Sequence, residues 1–372
     1  MRSNYKPIGE LVTRIDERNI NGEATELIGV SIDKCFIKSV ANTIGTDLTK
    51  YKIIRKDDFA VSLMQVSRDS KIPVARQTEY DIAMMSPAYP IFRVTDKNVI
   101  LPEYLDMWFK RTEFDREAAF IAVGGVRGSM PWDEFAQMEV HVPDIEVQRK
   151  IVRNYQIIED RIALKKKIND NLEDIAHSIY RDTISDSDLQ AKPIKHFGTV
   201  ITGKTPSTDC LEYYGNDIPF IKTPDMHGTP FVTTTECYLS KLGAESQTNK
   251  YIPEFSLIVA CIGANAGEVA ITTYQAQTNQ QINAAITDYP CTLYFAIKDA
   301  REELRALGDG SSTMLNINKS SFENFELLLP CKDEIVKLEC LLRSVFDYIH
   351  SNVLEINLLE EYKALLVTTL SR

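Results

Sequence analysis

The 372-residue sequence repeats itself, and the spacing of the repeat narrows the folds open to it. Lys6-Pro7-Ile8 recurs as Lys192-Pro193-Ile194, an offset of 186. Near the end of each half a Gly/Ser-rich run leads through a phenylalanine into an apolar strand closed by proline: GGVRGSMPWDEFAQMEVHVP over 124–143 and GDGSSTMLNINKSSFENFELLLP over 308–330. Phe135 then pairs with Phe322 and Pro143 with Pro330, both at an offset of 187. A shared offset across separated segments points to two copies of one structural module. With 44% apolar residues, each copy is long enough to bury a core of its own.

The segment after each proline is helical by pattern. Past Pro143, apolar residues fall at Ile151, Tyr155, Ile158, Ile162, then Ile168, Leu172, Ile175 and Ile179. Past Pro330, Leu338, Leu342, Val345, Ile349, Ile356, Leu359 and Leu366 keep one heptad frame, with Asn352 and Lys363 at its polar positions. Such stripes predict two long helices. Neither can bury its stripe alone, so the two are expected to pack antiparallel, with Asn352 helping to fix their register. Lys165-Lys166-Lys167 reads as the solvated face of the first. Elsewhere, Phe59 to Met64, Ile72 to Ala75, Leu257 to Ile262 and Val269 to Thr272 read as strands, and roughly 102–120 and 298–307 as helices. The expected class is α+β: two strand-rich globular domains separated by two long helices forming an antiparallel coiled coil, with an internal pseudo-two-fold repeat. The expected bounds are 1–143 and 187–330 for the globular domains, and 144–186 and 331–372 for the helices.

Several function classes find no support. No H-E-x-x-H, G-x-S-x-G or Walker motif occurs, and neither Pro143-Asp144 nor Pro224-Asp225 is followed within about 30 residues by the acid-x-Lys of a nuclease. Seven cysteines form no C-x-x-C pair and read as buried free thiols. No metal is expected. Ser86-Pro87-Ala88-Tyr89 approaches the loop of amino-methyltransferases, but Ala88 stands where a second proline belongs and no F-x-G-x-G cofactor loop accompanies it. No window reaches the length of a membrane helix, about eighteen apolar residues, and the N-terminus lacks a signal-peptide core, so a cytoplasmic protein is expected. The net charge of −11 argues against a broad phosphate-binding face. Nucleic-acid contact, if made, must come from local loops.

Those loops exist in both copies. In the second, ITGKTPSTD (201–209) sets Lys204, Thr205 and Ser207 around a proline turn, and Lys222-Thr223 comes after an apolar strand. Lys, Ser and Thr suit phosphate oxygens. A hairpin turns through Gly263-Ala264-Asn265-Ala266-Gly267, and Asn279-Gln280-Gln281 comes after it. Asn and Gln can bond bidentately to adenine in the major groove. In the first copy, two strands flank Gln65-Val66-Ser67-Arg68-Asp69-Ser70-Lys71, so that Gln65, Ser67, Arg68 and Lys71 sit at a tip and Arg76 closes the second strand. Arg127, inside GGVRGS, is a further candidate phosphate clamp. Solvated turns, or a coiled-coil adaptor that binds protein, would show the same loops.

The G-K-T-P-S turn opening the second module, the G-S-S…L-N-I-N…F…L-L-L-P run closing it, and the two strand-rich modules each continued by a long helix resemble the specificity subunit of Type I restriction-modification systems. The first module lacks the G-x-T-P-S turn and carries Gly128-Ser129-Met130-Pro131-Trp132 in place of the L-N-I-N run. The resemblance implies that each module is a target recognition domain gripping one half of a bipartite, gapped double-stranded DNA site, with the paired helices as spacer. It also implies a chain that is itself non-catalytic and directs two modification (methyltransferase) subunits and restriction subunits. S-adenosylmethionine, and for restriction ATP and Mg, would belong to those partners, with no cofactor in this chain.

Overall fold

The computed structural model describes residues 4–39, 45–64, 66–124, 128–308 and 315–371. It has two compact units, one of residues 1–161 with 360–372 and one of 162–359, so the division falls inside both long helices and not at their starts.

In the first unit a four-stranded antiparallel sheet runs in the order Val12–Ile15, Ile91–Val94, Phe59–Val61, Val74–Arg76. These short β-branched and aromatic segments present alternate side chains to a core under the sheet. Phe59 and Phe92 stack there with centroids 5.3 Å apart, and Phe109 meets them edge-on. Phe109 comes from the helix Pro102–Phe109, which has proline in its first turn, and Phe114 comes next in Thr112–Ile121. Tyr5–Pro7 pairs with Glu139–His141, setting Lys6 opposite Val140. Just before the inner strand Phe59–Val61, Asp58 is fully buried. Arg93 Nη2 and the Arg55 amide both donate to it at 2.9 Å, which satisfies a carboxylate that burial would otherwise strand.

The second unit repeats this order: Gly198–Thr202, Ile282–Thr287, Leu257–Ala260, Val269–Thr272, then an added parallel strand, Phe231–Val232. Gln190–Pro193 pairs with Glu326–Leu329, setting Lys192 opposite Leu327 as Lys6 opposes Val140. Phe322, on the turn Lys319–Glu323, is buried as Phe135 is on Trp132–Gln137. The repeat seen as a sequence offset is thus a repeat of strand order. A smaller three-stranded sheet of Tyr238–Leu239, Tyr214–Ile221 and Gln277–Thr278 accompanies it, where the first unit has two-stranded pairs, Ile28–Val30 with Phe36–Lys38 and Lys52–Arg55 with Ile82–Met85.

The long helices are Ile145–Asp186 and Lys332–Thr368. In the second unit Leu338, Leu342, Phe346, Ile349 and Val353 share one core with Ala176, Tyr180, the sheet and the helix Pro290–Asp299. Glu339 fastens that last helix: its buried carboxylate accepts from the Cys291 amide at 3.1 Å and from the Thr292 amide and hydroxyl at 2.8 and 2.7 Å, capping amides that have no intrahelical partner. Five details differ from the sequence expectations. In the first helix the buried stripe after Ile162 passes through Asn169, Ala176 and Tyr180, while Ile175 is exposed. Lys165 leaves the solvated face, bonding to Asn352 Oδ1 and Glu355 Oε2 at 2.8 Å each, and Asn352 donates to Asn169 Oδ1 at 2.8 Å. Because 165 meets 355 and 169 meets 352, the pairing in this unit is antiparallel. Of the cysteines only Cys261 and Cys291 are buried, since the others lie on strand ends, loops and outer helix faces. The expected single helix at 102–120 breaks after Phe109, and the one at 298–307 resolves into Pro290–Asp299 and Arg301–Ala306.

Candidate functional site

Three of the sequence-selected segments of the second unit meet on one surface. The loop after the strand Gly198–Thr202 lies directly on the strand Gln277–Thr278: the Gly203 amide donates to Ile282 O at 3.1 Å and the Lys204 amide to Thr278 O at 2.9 Å. Only glycine fits at 203, because a Cβ there would sit 2.1 Å from Asn279 O and 2.3 Å from Thr278 O. Beneath the loop, Gln247 Nε2 donates to Lys204 O at 2.8 Å and to Gln277 Oε1 at 2.7 Å, and Gln277 Nε2 donates to Ala244 O at 2.9 Å. This buried amide chain holds the backbone while Lys204 and Ser207 keep their side chains in solvent.

Thr205 donates to Gln280 Oε1 at 2.6 Å, joining the loop to the 279–281 turn. Thr223 joins the same turn from the other side, donating to Gln281 Oε1 at 3.4 Å, and the Asn279 amide donates to Ile221 O at 3.1 Å. Lys222 precedes the helical turn Thr223–Met226, which Asp225 closes by accepting from the Lys222 amide at 2.7 Å. Lys204, Thr205, Ser207, Lys222 and Gln280 therefore share a patch, two lysines among hydroxyls and an amide, with Thr223 buried beneath it. Asn279 supports it from within: it is buried, its Nδ2 donates to Gln281 Oε1 at 3.2 Å and its Oδ1 accepts from the Gln281 amide at 3.1 Å. Gln281, which locks Thr223 to Asn279, is not among the sequence-selected candidates, although it stands in the same polar run.

Asn265 stands on the five-stranded sheet. The turn Gly263–Asn265 tips the hairpin between Leu257–Ala260 and Val269–Thr272, and Asn265 Nδ2 lies 3.2 Å from His227 Nε2. His227, also absent from those candidates, comes directly after Thr223–Met226 and is exposed.

The first unit gathers its candidates less tightly. The expected polar tip is a helical turn, Val66–Asp69, with Val66 buried because the turn packs on the core. Ser67 lies close under Gly128, and Arg68 is exposed with Nε 2.9 Å from Asp69 Oδ1. Lys71 is exposed, 4.0 Å from Asp33. Arg76 is committed elsewhere: its Nη1 bonds Asp57 at 2.9 Å and Glu103 at 3.0 Å, and Lys97 adds a bond to Asp57 at 2.9 Å. Against the cost of burial, Lys97 and Arg76 hold the Asp57 carboxyl below its ordinary range. Gln65 and Arg127 lie outside the described residues. Ser86 to Tyr89 forms an ordinary turn, with the Tyr89 amide donating to Ser86 O at 3.2 Å and Tyr89 O accepting from Lys52 Nζ at 3.0 Å. Among the described residues no group of His, Cys, Asp and Glu is placed to hold a metal ion, and no helix is long and apolar enough to cross a membrane.

Residues 186–339, which hold the whole second-unit patch, match the model of the Type I restriction modification DNA specificity domain. The chain is 28% identical to the Type I restriction enzyme HindI specificity subunit of Haemophilus influenzae, over 86% of each chain. It is 29% identical to the MjaIX specificity subunit of Methanocaldococcus jannaschii over 47% of this chain and 41% of that one. In fold it resembles the crystal structure of a Type I restriction-modification S subunit from M. genitalium, with a TM-score of 0.60, 10% identity, and coverage of 98% of this chain and 95% of that one.

Proposed function

We propose, from the premise that the chain belongs to the specificity-subunit family of Type I restriction-modification systems and serves in DNA target recognition, that its two modules read the two halves of a gapped duplex site and bring partner enzymes to it. The observation that carries this reading is the convergence of the 203–207, 222–223 and 279–281 segments on one surface inside the matched domain. Lys204 and Lys222 would take phosphates and fix register, while amide side chains would meet base edges. The paired helices would space the two readers and carry two modification subunits, with restriction subunits joining for cleavage. The chain itself would catalyse nothing: S-adenosylmethionine would be bound by the modification subunits, and ATP and Mg would serve restriction. Target adenines would be swung out of the stack into a partner's pocket. The acidic total of −11 fits this division, because the partners can supply much of the positive groove. Such a complex would work in the cytoplasm.

Binding of a mixed genomic-fragment probe by the chain with its modification subunit, titrated in salt, tests the reading. Affinity should fall linearly on a log–log plot, and Lys204→Ala or Lys222→Ala should each reduce the slope by about one. An adaptor that binds only protein would show no salt-dependent DNA affinity, and that result would reject the proposal.

A further inference from the structure

The hairpin tip of the second unit holds a polar chain that the patch does not explain. Glu268 Oε1 lies 2.6 Å from His227 Nδ1, and His227 Nε2 lies 3.2 Å from Asn265 Nδ2. An ionised carboxylate can only accept, so Nδ1 carries the ring hydrogen. In the neutral imidazole Nε2 then bears the lone pair, and the group facing it must be a donor. Asn265 therefore turns Nδ2 toward the ring, which leaves its Oδ1 and second N–H available to a ligand. One acceptor beside one donor is the complement of adenine N6–H and N7 in the major groove.

The backbone under Asn265 is held as firmly as its side chain. Arg305 Nη1 donates to Ala264 O at 2.8 Å and Ala266 O at 3.3 Å, and the Gly263 amide donates to Leu315 O at 3.0 Å. Gly263 and Gly267 take φ of 70° and 81°, conformations the tight tip requires. At 267 a Cβ would also sit 2.7 Å from Arg301 Cγ. A side chain fixed before binding loses little rotamer entropy on contact, the condition for discriminating one base from another.

We propose that Glu268 and His227 act as a relay that orients the Asn265 carboxamide to read an adenine in the half-site of the second module. Asn265 makes the contact, and His227 and Glu268 are positioning residues. The inference rests on the proposed DNA-reading function. It assigns base discrimination to the hairpin tip and leaves phosphate contact with the lysine patch.

The test is selection from a duplex library randomised over the site, using the chain with its modification subunit. The unaltered chain should select adenine at one position that Asn265→Ala renders degenerate, a loss of roughly tenfold in preference. His227→Ala and Glu268→Ala should degrade that same position and leave the other half-site intact. Glu268→Gln, whose side-chain carbonyl still accepts from Nδ1–H, should restore the preference. A purely structural role would lower affinity at every position and would not distinguish Gln from Ala. Retention of the adenine preference by His227→Ala, or uniform loss across the site, overturns the relay while leaving DNA reading in place. Selection of no sequence by the unaltered chain overturns both.

Discussion

At the scale of single residues, the patch depends on backbone approach as much as on polar side chains. Gly203 lets the GKTPS turn lie against the carbonyls of Thr278 and Asn279, and both of those atoms are main chain and cannot swing aside. Gly203→Ala should lower the unfolding free energy by about 1–3 kcal/mol through the forced shift and should weaken DNA binding further by moving Lys204 and Thr205 off the 279–281 turn. Denaturant titration beside DNA affinity would measure both, and an unchanged affinity would separate the turn from the contact surface. The turn itself was legible, since glycine, lysine and proline in that order state its chemistry. The division of labour within it was not. Asn279 and Gln280 are indistinguishable in sequence, yet burial commits Asn279 inward and leaves Gln280 outside. His227 had no local signal at all, because its two partners lie about 40 residues away in sequence, |i−j| of 38 to Asn265 and 41 to Glu268.

At the scale of elements, the helix pair shows what hydrophobic periodicity misses. The second helix displays its frame openly through leucine and isoleucine. The first keeps the same kind of frame, but Lys165 and Asn169 stand at core positions, so a search for apolar steps leaps from Ile162 to Ile168 and slides off the buried face. The polar layer that hides the stripe also sets the register. Asn352 both accepts from Lys165 and donates to Asn169, so Asn352→Ala takes the partner from the buried Asn169 carbonyl, leaves Lys165 with Glu355 alone, and should cost about 1–3 kcal/mol. Replacing Asn352 and Asn169 together by leucine should recover much of that loss in thermal unfolding while loosening the choice of register. A double variant less stable than Asn352→Ala would show that the layer contributes stability and not only alignment.

At the scale of the whole molecule, one topology used twice organises everything else. The order of the four common strands, the pairing of Lys6 and Lys192 with the closing strands, and the buried Phe135 and Phe322 recur in both copies; the lysine and phenylalanine pairs keep the sequence offset, while Phe59–Val61, Val74–Arg76 and Ile91–Val94 lie farther than that from their counterparts. The copies differ in what surrounds the common strands. The second adds an edge strand and has a three-stranded small sheet beside the patch where the first has two-stranded pairs, while the first puts a helical turn where a loop was expected and binds Arg76 into an ion-pair cluster. Methylome sequencing of a host that carries this chain with its neighbouring modification subunit addresses the central claim most directly. The expected result is adenine methylation at a two-part motif with a fixed unspecified gap, lost when this chain is deleted. Methylation at a continuous motif, or a motif unchanged by the deletion, would contradict it.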